Sequence, residues 1–387
     1  MQQINKRLEI VDILRGWAIL VVVICNFTGF AYDSNGKTQG NIMINKILQT
    51  LEEIFFSGKG WTLLFLLFGF GFGHYLKNDR KFSDFIILKR MFVLFLFAII
   101  NSLIYDGDIL RDYAFLGLIF ILIYRLSTKN LIYIAVIMFL LIPFITAYVN
   151  KLDTSYVDTK IKILEHLRYS NLFLEVFEYN FWSSYYYEII NLGYSLTAHF
   201  VMFFCMIIGL ILQKTNFFIN LKNQYQNIKT IAISTFIFSI LINLILFFSN
   251  KYKLQFLNYF SLYYWVVICT MLFTSSVICL LYLNKKCQTI FNSFSIIGKM
   301  SLSNYLFQNI IGLLIFQGIG LRLFHSMPYY FYFLLATLIY LIQVFVCKWW
   351  LKTYNYGPIE FIWRKLSNHQ KTEILVLKRI DSNFLKE

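Results

Sequence analysis

The sequence predicts an all-α fold, a polytopic bundle of about ten transmembrane helices with both termini in the cytoplasm. Of its 387 residues, 58% are hydrophobic and only 14% are charged, whereas a soluble protein carries about 25% charged residues. Many apolar runs approach twenty residues, the length of a helix that crosses a bilayer. The strands of a β-barrel would alternate over about ten residues instead.

Ten hydrophobic windows predict the spans in order. They cover residues 11–32, 60–77, 86–105, 110–126, 130–149, 193–213, 228–248, 262–284, 302–321 and 329–351. Basic residues concentrate in alternate loops, as expected for cytoplasmic loops. The intervening 106–112 turn has three aspartates against one arginine, and the 150–192 loop has six carboxylates against four basic residues. This alternation predicts the cytoplasmic position of both ends.

The predicted domain organisation is a single transmembrane domain over residues 1–366. We expect residues 150–192 to form an extracytoplasmic loop whose aromatic part lies along the membrane interface. Residues 352–366 are expected to form a cytoplasmic interface helix, and 367–387 a polar, basic tail. No small-residue cleavage site follows the first apolar run, so we expect a retained first helix rather than a signal peptide.

Composition and motifs exclude several function classes. The net charge of +15 comes from Lys and Arg in the loops, where they set topology, so nucleic acid is not an expected partner. The six cysteines include no CxxC pair and no histidine at ligand spacing, so no metal site is expected. No G-x-S-x-G, HExxH or Walker pattern supports hydrolase, zinc-protease or P-loop chemistry.

Arg15 lies inside the first hydrophobic window, where a charge costs about 2.5–3.5 kcal/mol on insertion scales. Such a group usually faces a partner or a cavity. Asp12, three residues earlier, is the nearest candidate partner. Asn26 follows eleven residues later and returns to the same helix face, about 16 Å further along the axis. These three residues predict a binding site beside the first helix.

Further polar residues lie in or beside other windows. Lys59 precedes the second window, and Asp108 lies in the turn between the third and fourth. We expect Asp108 either to be solvated in that turn or to point inward and pair with Arg111 or Lys59. The glycines of the second window (Gly69, Gly71 and Gly73) are interpreted as sites of close helix contact rather than as a phosphate loop.

The ninth window opens with a polar stripe of Ser301, Asn304 and Gln308, which share one helix face. Two interpretations stay open, interhelical hydrogen bonds and a substrate-lining face. His199 has no carboxylate one turn away in the sequence, which favours a non-catalytic role.

The segment after the tenth window predicts a short structural helix. Gly357 ends the preceding element, and Pro358 suits the first helical position. Glu360 and Arg364 are four residues apart and can pair on that helix.

Five motifs together resemble the YeiB-like bacterial membrane proteins, the family called domain of unknown function 418. In order, they lie at residues 9–26, 59–73, 107–114, 298–308 and 357–364. The RGxA motif at Arg15 is also similar to the transmembrane acyltransferase superfamily, which includes sugar O-acetyltransferases and the lysosomal heparan glucosaminide N-acetyltransferase. This resemblance implies a bacterial plasma-membrane protein that binds acyl-CoA from the cytoplasm near Arg15. Its acceptor would be an envelope glycan, lipid or small molecule.

The chain departs from that superfamily at the expected general base. Asn26 occupies the position where the O-acetyltransferases have a histidine, residues 27–58 contain no histidine, and Asn101 lies where the family pattern favours one. The catalytic residue is therefore not identified by the sequence. Three functions remain. The first is acyl transfer with acyl-CoA as co-substrate and no bound cofactor. The second is that of a transporter, or of an accessory protein for export or immunity, which handles a small molecule or peptide, and the third is that of a non-catalytic membrane partner.

Overall fold

The computed structural model describes residues 7–32, 36–77, 80–252 and 255–367, and this part of the chain contains helices and turns without a β-strand. The predicted basic tail, apart from its first residue, lies outside the described residues. The α-helices are α1 (Glu9–Gly29), α2 (Ile42–Phe55), α3 (Lys59–Phe72), α4 (Arg80–Ser102), α5 (Ile109–Phe120), α6 (Thr128–Val149), α7 (Ser155–Arg168), α8 (Phe173–Ser184), α9 (Leu192–Lys214), α10 (Tyr225–Tyr252), α11 (Tyr263–Leu283), α12 (Gln288–Lys299), α13 (Ser301–Phe316), α14 (Tyr329–Trp350) and α15 (Pro358–Ser367).

Seven helical stretches of the described residues are long and apolar enough to cross a membrane. They are Glu9–Gly29, Ile42–Phe72, Thr128–Val149, Leu192–Lys214, Leu221–Ser249, Tyr263–Leu283 and Tyr329–Trp350. The all-α class and the multi-pass membrane character predicted from the sequence are thus confirmed. The other predicted windows coincide with α4, α5 and α13, of which α5 has only 12 residues and α13 has 16.

Several segments predicted to be loops are helical. The 150–192 region contains α7, α8 and the π-helical segment Tyr185–Ile190. The helices α2 and α12 were not predicted at all. The first is amphipathic with Ile42 and Met43 largely exposed, and the second follows a tight turn at Cys287. Both were missed because their apolar residues follow helical spacing only over short stretches between the long windows.

The first helix lies at the centre of the bundle and packs against α3, α12, α13 and α14. Two glycines permit its close contact with α12. A Cβ atom on Gly16 would lie 1.9 Å from the carbonyl oxygen of Phe294, and one on Gly298 would lie 1.8 Å from that of Asp12. Only glycine fits at either position, so the two backbones approach as small residues allow in membrane proteins.

The close contact predicted for the glycines of the second window is observed at two of the three positions. A Cβ on Gly69 would lie 2.0 Å from the carbonyl oxygen of Met206 on α9, and one on Gly73 would meet the side chain of Gln213. Gly71 faces open space. On the other side of this contact, a Cβ on Gly209 would lie 1.8 Å from the carbonyl oxygen of Leu66.

The apolar stretch Ile42–Phe72 is interrupted, because α2 ends at Phe55 and α3 begins at Lys59. Gly58 lies in the turn with φ +79°, a conformation that glycine adopts without strain. The break lies beside the middle of α1, since a Cβ on Gly60 would contact Val21, Val22 and the carbonyl oxygen of Ala18. The predicted span at 60–77 coincides with α3 and the 3₁₀ segment Gly73–Lys77, whereas α2, which the sequence did not predict, precedes the break.

Candidate functional site

A small cavity of about 50 Å³ lies at the break between α2 and α3, and we call it the junction cavity. Asn26 of α1 lines it, together with Gly58 and Gly60 at the break. Gly107, in the loop before α5, and Tyr305 of α13 complete the polar and backbone part of its wall. Asn26, which the sequence predicted to share a helix face with Arg15, therefore faces an internal cavity.

Two helices begin at the junction cavity. The N-cap of α3 is Gly58, and the N-cap of α5 is Asp108, whose neighbours Gly107 and Ile109 line the cavity. The first N–H groups of a helix have no intrahelical partner and carry partial positive charge. The backbone around this cavity is therefore suited to stabilising negative charge.

Asp108 is fully buried and bound on one side only. Its Oδ1 atom accepts hydrogen bonds from Asn101 Nδ2 at 2.8 Å, the Leu110 amide at 3.0 Å and the Tyr305 hydroxyl at 3.3 Å. Its Oδ2 atom has no hydrogen-bond partner among the described residues. Asp108 lies in the α4–α5 loop, outside the spanning helices, and its burial raises the pKa of the carboxyl to about 7.

Of the two alternatives left open for Asp108, the structure has the inward orientation, but neither of the cations named as partners pairs with it. Arg111 pairs with Glu188 instead, and no ion pair of the described residues joins Asp108 to Lys59. Asn101 also accepts a hydrogen bond from Asn309 Nδ2 at 3.0 Å. Asp108 is thus held by a neutral amide and hydroxyl network.

Lys59, between two glycines of the cavity wall, is only 3% exposed. Its ammonium group donates to the carbonyl oxygen of Glu53, and no ion pair of the described residues includes it. The nearby Glu52 carboxylate instead accepts from Thr28 at 2.9 Å and from the Tyr329 hydroxyl. A buried ammonium without an ion-pair partner adds positive charge beside the junction cavity.

Arg15 pairs with Asp12 as the spacing predicted. Its Nη1 atom lies 3.1 Å from Asp12 Oδ1, and its side chain remains 31% exposed. Asp12 is buried and also accepts two hydrogen bonds from Arg7, at 2.5 and 3.0 Å. One carboxylate therefore serves two guanidinium groups, and Arg15 retains surface for a further anion.

The polar stripe of α13 mainly joins α13 to α14. Asn304 Nδ2 lies 3.3 Å from Cys347 Sγ, and Gln308 Nε2 donates to Gln343 Oε1 at 2.7 Å. Ser301 is half-buried. The contacts favour the interhelical interpretation of the stripe. The residue of α13 that faces the cavity is Tyr305, which the stripe did not include.

The last helix begins at Pro358 as predicted, but its carboxylate has another partner. Glu360 accepts from the backbone amides of Leu302 at 2.7 Å and Ser303 at 3.0 Å, and so caps the N-terminus of α13. Arg364 instead lies over the Tyr356 ring, 4.4 Å from its centroid. The predicted Glu360–Arg364 pair is thus replaced. A Cβ on Gly357 would lie 2.1 Å from Glu360 Oε2, so any side chain at this position would push against the capping carboxylate.

A histidine–carboxylate pair was missed by the sequence reasoning. His199 Nε2 on α9 lies 2.9 Å from Asp112 Oδ1 on α5. The neighbouring Arg111 on α5 forms an ion pair with Glu188 and donates to Ser184 at 3.1 Å. The only sequence signal was the presence of ionisable residues at the ends of apolar windows, which are functional candidates by default.

The fold and these buried charges define an α-helical, multi-pass membrane protein with a polar junction inside the bundle. Residues 212–370 match the family model described as "Protein of unknown function (DUF418)". The resemblance drawn from the five motifs is therefore confirmed over this part of the chain, and the motifs at Arg15, Lys59 and Asp108 lie outside the matched range.

Two Bacillus proteins are similar along nearly the whole chain. "Uncharacterized protein YxaH" of Bacillus subtilis (strain 168) is 26% identical, over 93% of this chain and 94% of its own length. "Uncharacterized 39.9 kDa protein in amylase 3'region" of Bacillus acidopullulyticus is 24% identical, over 98% of this chain and 99% of its own length. No solved structure matches.

Proposed function

We propose that this chain is an acyltransferase of the bacterial plasma membrane, which passes an acyl group from acyl-CoA to an envelope glycan, lipid or small molecule. One observation carries the proposal: the N-termini of α3 and α5 meet at a cavity beside the half-paired carboxylate of Asp108. Acyl transfer forms an oxyanion that needs hydrogen-bond donors, and it needs a base for the attacking nucleophile. The junction offers groups of both kinds.

The donor end of the proposed site is Arg15. It lies on the same face of α1 as Asn26, about three turns away, and part of its guanidinium group is free to bind phosphate. In the proposed topology, ten spans place both termini and Arg15 on the cytoplasmic side, where acyl-CoA is available. The acyl group would then extend along α1 toward the junction cavity.

The proposed reaction uses Asp108 and Tyr305 as a proton relay. As the acceptor hydroxyl oxygen attacks the acyl carbonyl carbon, its proton passes to the Tyr305 oxygen, and the Tyr305 proton passes to Asp108. The amide of Asn26 and the N-terminus of α3 stabilise the oxyanion, while the first two N–H groups of α5 hold the Tyr305 hydroxyl and the Asp108 carboxylate in place. Collapse of this intermediate forms the ester, breaks the thioester bond and releases CoA as the thiolate. Lys59 lowers the energy of the negative charge throughout.

Titration of the purified protein with acetyl-CoA tests the donor site. We expect binding by the wild type and at least tenfold weaker binding by Arg15→Ala. Equal binding by the two proteins, or no binding by the wild type, would contradict the proposal.

Release of CoA in proteoliposomes tests the relay. Asp108→Asn should bind acetyl-CoA normally but release CoA at least a hundredfold more slowly, because the base is lost. Asp153→Asn is a matched control, since Asp153 is an exposed carboxylate in another loop. The wild-type rate should rise as the pH increases through about 7, where Asp108 loses its proton. A rate that is unchanged by Asp108→Asn would exclude this relay.

The interrupted α2–α3 stretch supports transport as a second candidate function, because transporters bind substrates where broken helices meet near the membrane centre. Labelled acetyl-CoA enclosed in proteoliposomes distinguishes the two. A transporter would move the label across the membrane without cleaving the thioester, whereas the enzyme would release CoA.

A further inference from the structure

Three arginines from distant parts of the sequence lie at the end of the bundle where α1 begins. They are Arg15 of α1, Arg90 of α4 and Arg364 of α15. Arg364 adjoins Trp363, whose ring contacts Arg90. The same helix caps α13 through Glu360, and Gly298, just before α13, touches the backbone of α1 at Asp12. Like charges brought together in this way favour the binding of an anion.

Aromatic rings hold two of these groups in place. The Arg90 guanidinium lies 4.0 Å from the centroid of the Trp363 ring, and Trp363 Nε1 donates to the carbonyl oxygen of Arg90 at 3.2 Å. Arg364 is stacked in the same way on Tyr356. Stacking orients a planar guanidinium while its N–H donors stay available, so little ordering is needed when a ligand binds.

The carboxylates near this end do not neutralise the cluster. Asp12 is shared between Arg7 and Arg15. Glu360, on the same helix as Arg364, is used at the N-terminus of α13. No ion pair of the described residues includes Arg90 or Arg364. The cluster therefore carries excess positive charge.

We propose that Arg15, Arg90 and Arg364 bind a ligand with at least two phosphate groups, and that α15 carries Arg364 and the Trp363 ring that orients Arg90. Arginine binds phosphate oxygens in pairs, which suits a pyrophosphate better than a single carboxylate. The identity of this ligand as the pyrophosphate of acyl-CoA rests on the proposed function. The phosphate headgroup of an anionic lipid has the same chemistry, and the experiment separates these sources.

The test measures binding of inorganic pyrophosphate and of acetyl-CoA by the full chain in phosphatidylcholine nanodiscs. We expect Arg90→Gln and Arg364→Gln each to raise the Kd for both ligands at least tenfold. Acetyl-pantetheine, which lacks the pyrophosphate, should bind equally to wild type and variants. Lys286→Gln removes an exposed charge outside the cluster and should leave every Kd unchanged. Equal Kd values for wild type and both arginine variants would overturn the proposal.

Two further measurements separate a failure to fold from a loss of binding, and a lipid headgroup from acyl-CoA. Arg364→Lys retains the charge but loses the planar fork, so it should bind pyrophosphate more weakly than wild type even if Arg364→Gln does not fold. Nanodiscs with phosphatidylglycerol identify the source: loss of pyrophosphate binding there would assign the site to a lipid headgroup and contradict the acyl-CoA assignment. Arginine-dependent pyrophosphate binding without any CoA release would leave this site valid and refute the acyltransferase proposal alone.

Discussion

The Nε2 atom of His199 lies 2.9 Å from Oδ1 of Asp112, and this contact joins α9 to α5. Asp112 is 1% exposed, and its Oδ2 atom has no hydrogen-bond partner among the described residues. Among the described residues, His199 is thus the side chain that binds the buried Asp112 carboxylate. Their contact connects α9 with α5, which are distant in the sequence.

Removal of either partner alone should destabilise the protein. His199→Leu leaves Asp112 without this partner, and the expected cost is about 1–3 kcal/mol. The double variant His199→Leu/Asp112→Leu should be more stable than the sum of the single effects predicts, since neither polar group remains unpaired. Thermal unfolding in detergent measures both, and strictly additive effects would show that the contact contributes nothing.

Asp12 should be required for stability because it holds two arginines. Asp12→Asn weakens the contacts of Arg7 and Arg15, and we expect a loss of about 1–3 kcal/mol, since both arginines keep some exposure to solvent. The double variant Asp12→Leu/Arg15→Leu should regain part of that stability. If it also regains full function, Arg15 only fixes helix packing. A stable protein without acetyl-CoA binding would support the donor site.

The contact between α3 and α9 should tolerate no side chain at Gly69. Gly69→Ala places a methyl group against the Met206 backbone, and we expect a cost of about 1–3 kcal/mol or a failure to fold. Gly71→Ala is the matched control on the same helix, where the added methyl group meets nothing within 4 Å. Equal melting temperatures for the two variants would show that α3 and α9 can move apart at Gly69 without a loss of folding free energy.

The cap of α13 should depend on the Glu360 carboxylate. Glu360→Ala removes the acceptor of the Leu302 and Ser303 amides, and the expected loss is about 0.5–2 kcal/mol. Glu360→Gln keeps one acceptor oxygen and should lose less. Gly357→Ala should be as harmful as Glu360→Ala, because its methyl group would displace the carboxylate. Circular dichroism melts of the three variants check this order.

Asp108 should make stability depend on pH. Burial raises its pKa to about 7, so the folded protein keeps a proton that the unfolded chain releases near pH 4. Its contribution is therefore fully present below about pH 4 and is lost as the pH rises through 7. Between pH 6 and 8 the loss should be about 1.4 kcal/mol. Asp108→Asn cannot titrate, and a pH dependence equal to that of the wild type would show that Asp108 is ionised throughout.

The spacing of residues along the sequence was enough to predict the contacts and the boundaries that depend on one helix alone. The Asp12–Arg15 pair follows from a separation of three residues, and the start of α15 follows from Pro358. The length of the apolar windows predicted the long helices, because the bilayer demands about twenty apolar residues. Gly69 was predicted as a contact residue since only small residues let membrane helices approach closely.

Partners across helices could not be predicted in this way. Asp108 was expected either to be solvated or to pair with a cation, and it instead contacts Asn101 and Tyr305, the latter 197 residues away. An interhelical hydrogen bond was one of the two interpretations of Gln308, yet nothing in the sequence indicated that its partner would be Gln343. Helical periodicity identifies the face of a helix that a residue occupies, but not the helix that packs there.

By itself, the sequence determined that this chain is a multi-pass helical membrane protein and that Arg15 is a costly charge with Asp12 beside it. Only the tertiary structure decided that the stretch 42–72 breaks next to α1, that Asn26 faces a cavity there, and that His199 has a carboxylate. The physical reason is that hydrophobicity and hydrogen bonding along one helix are local. The position of a buried charge depends on which distant helix can satisfy it.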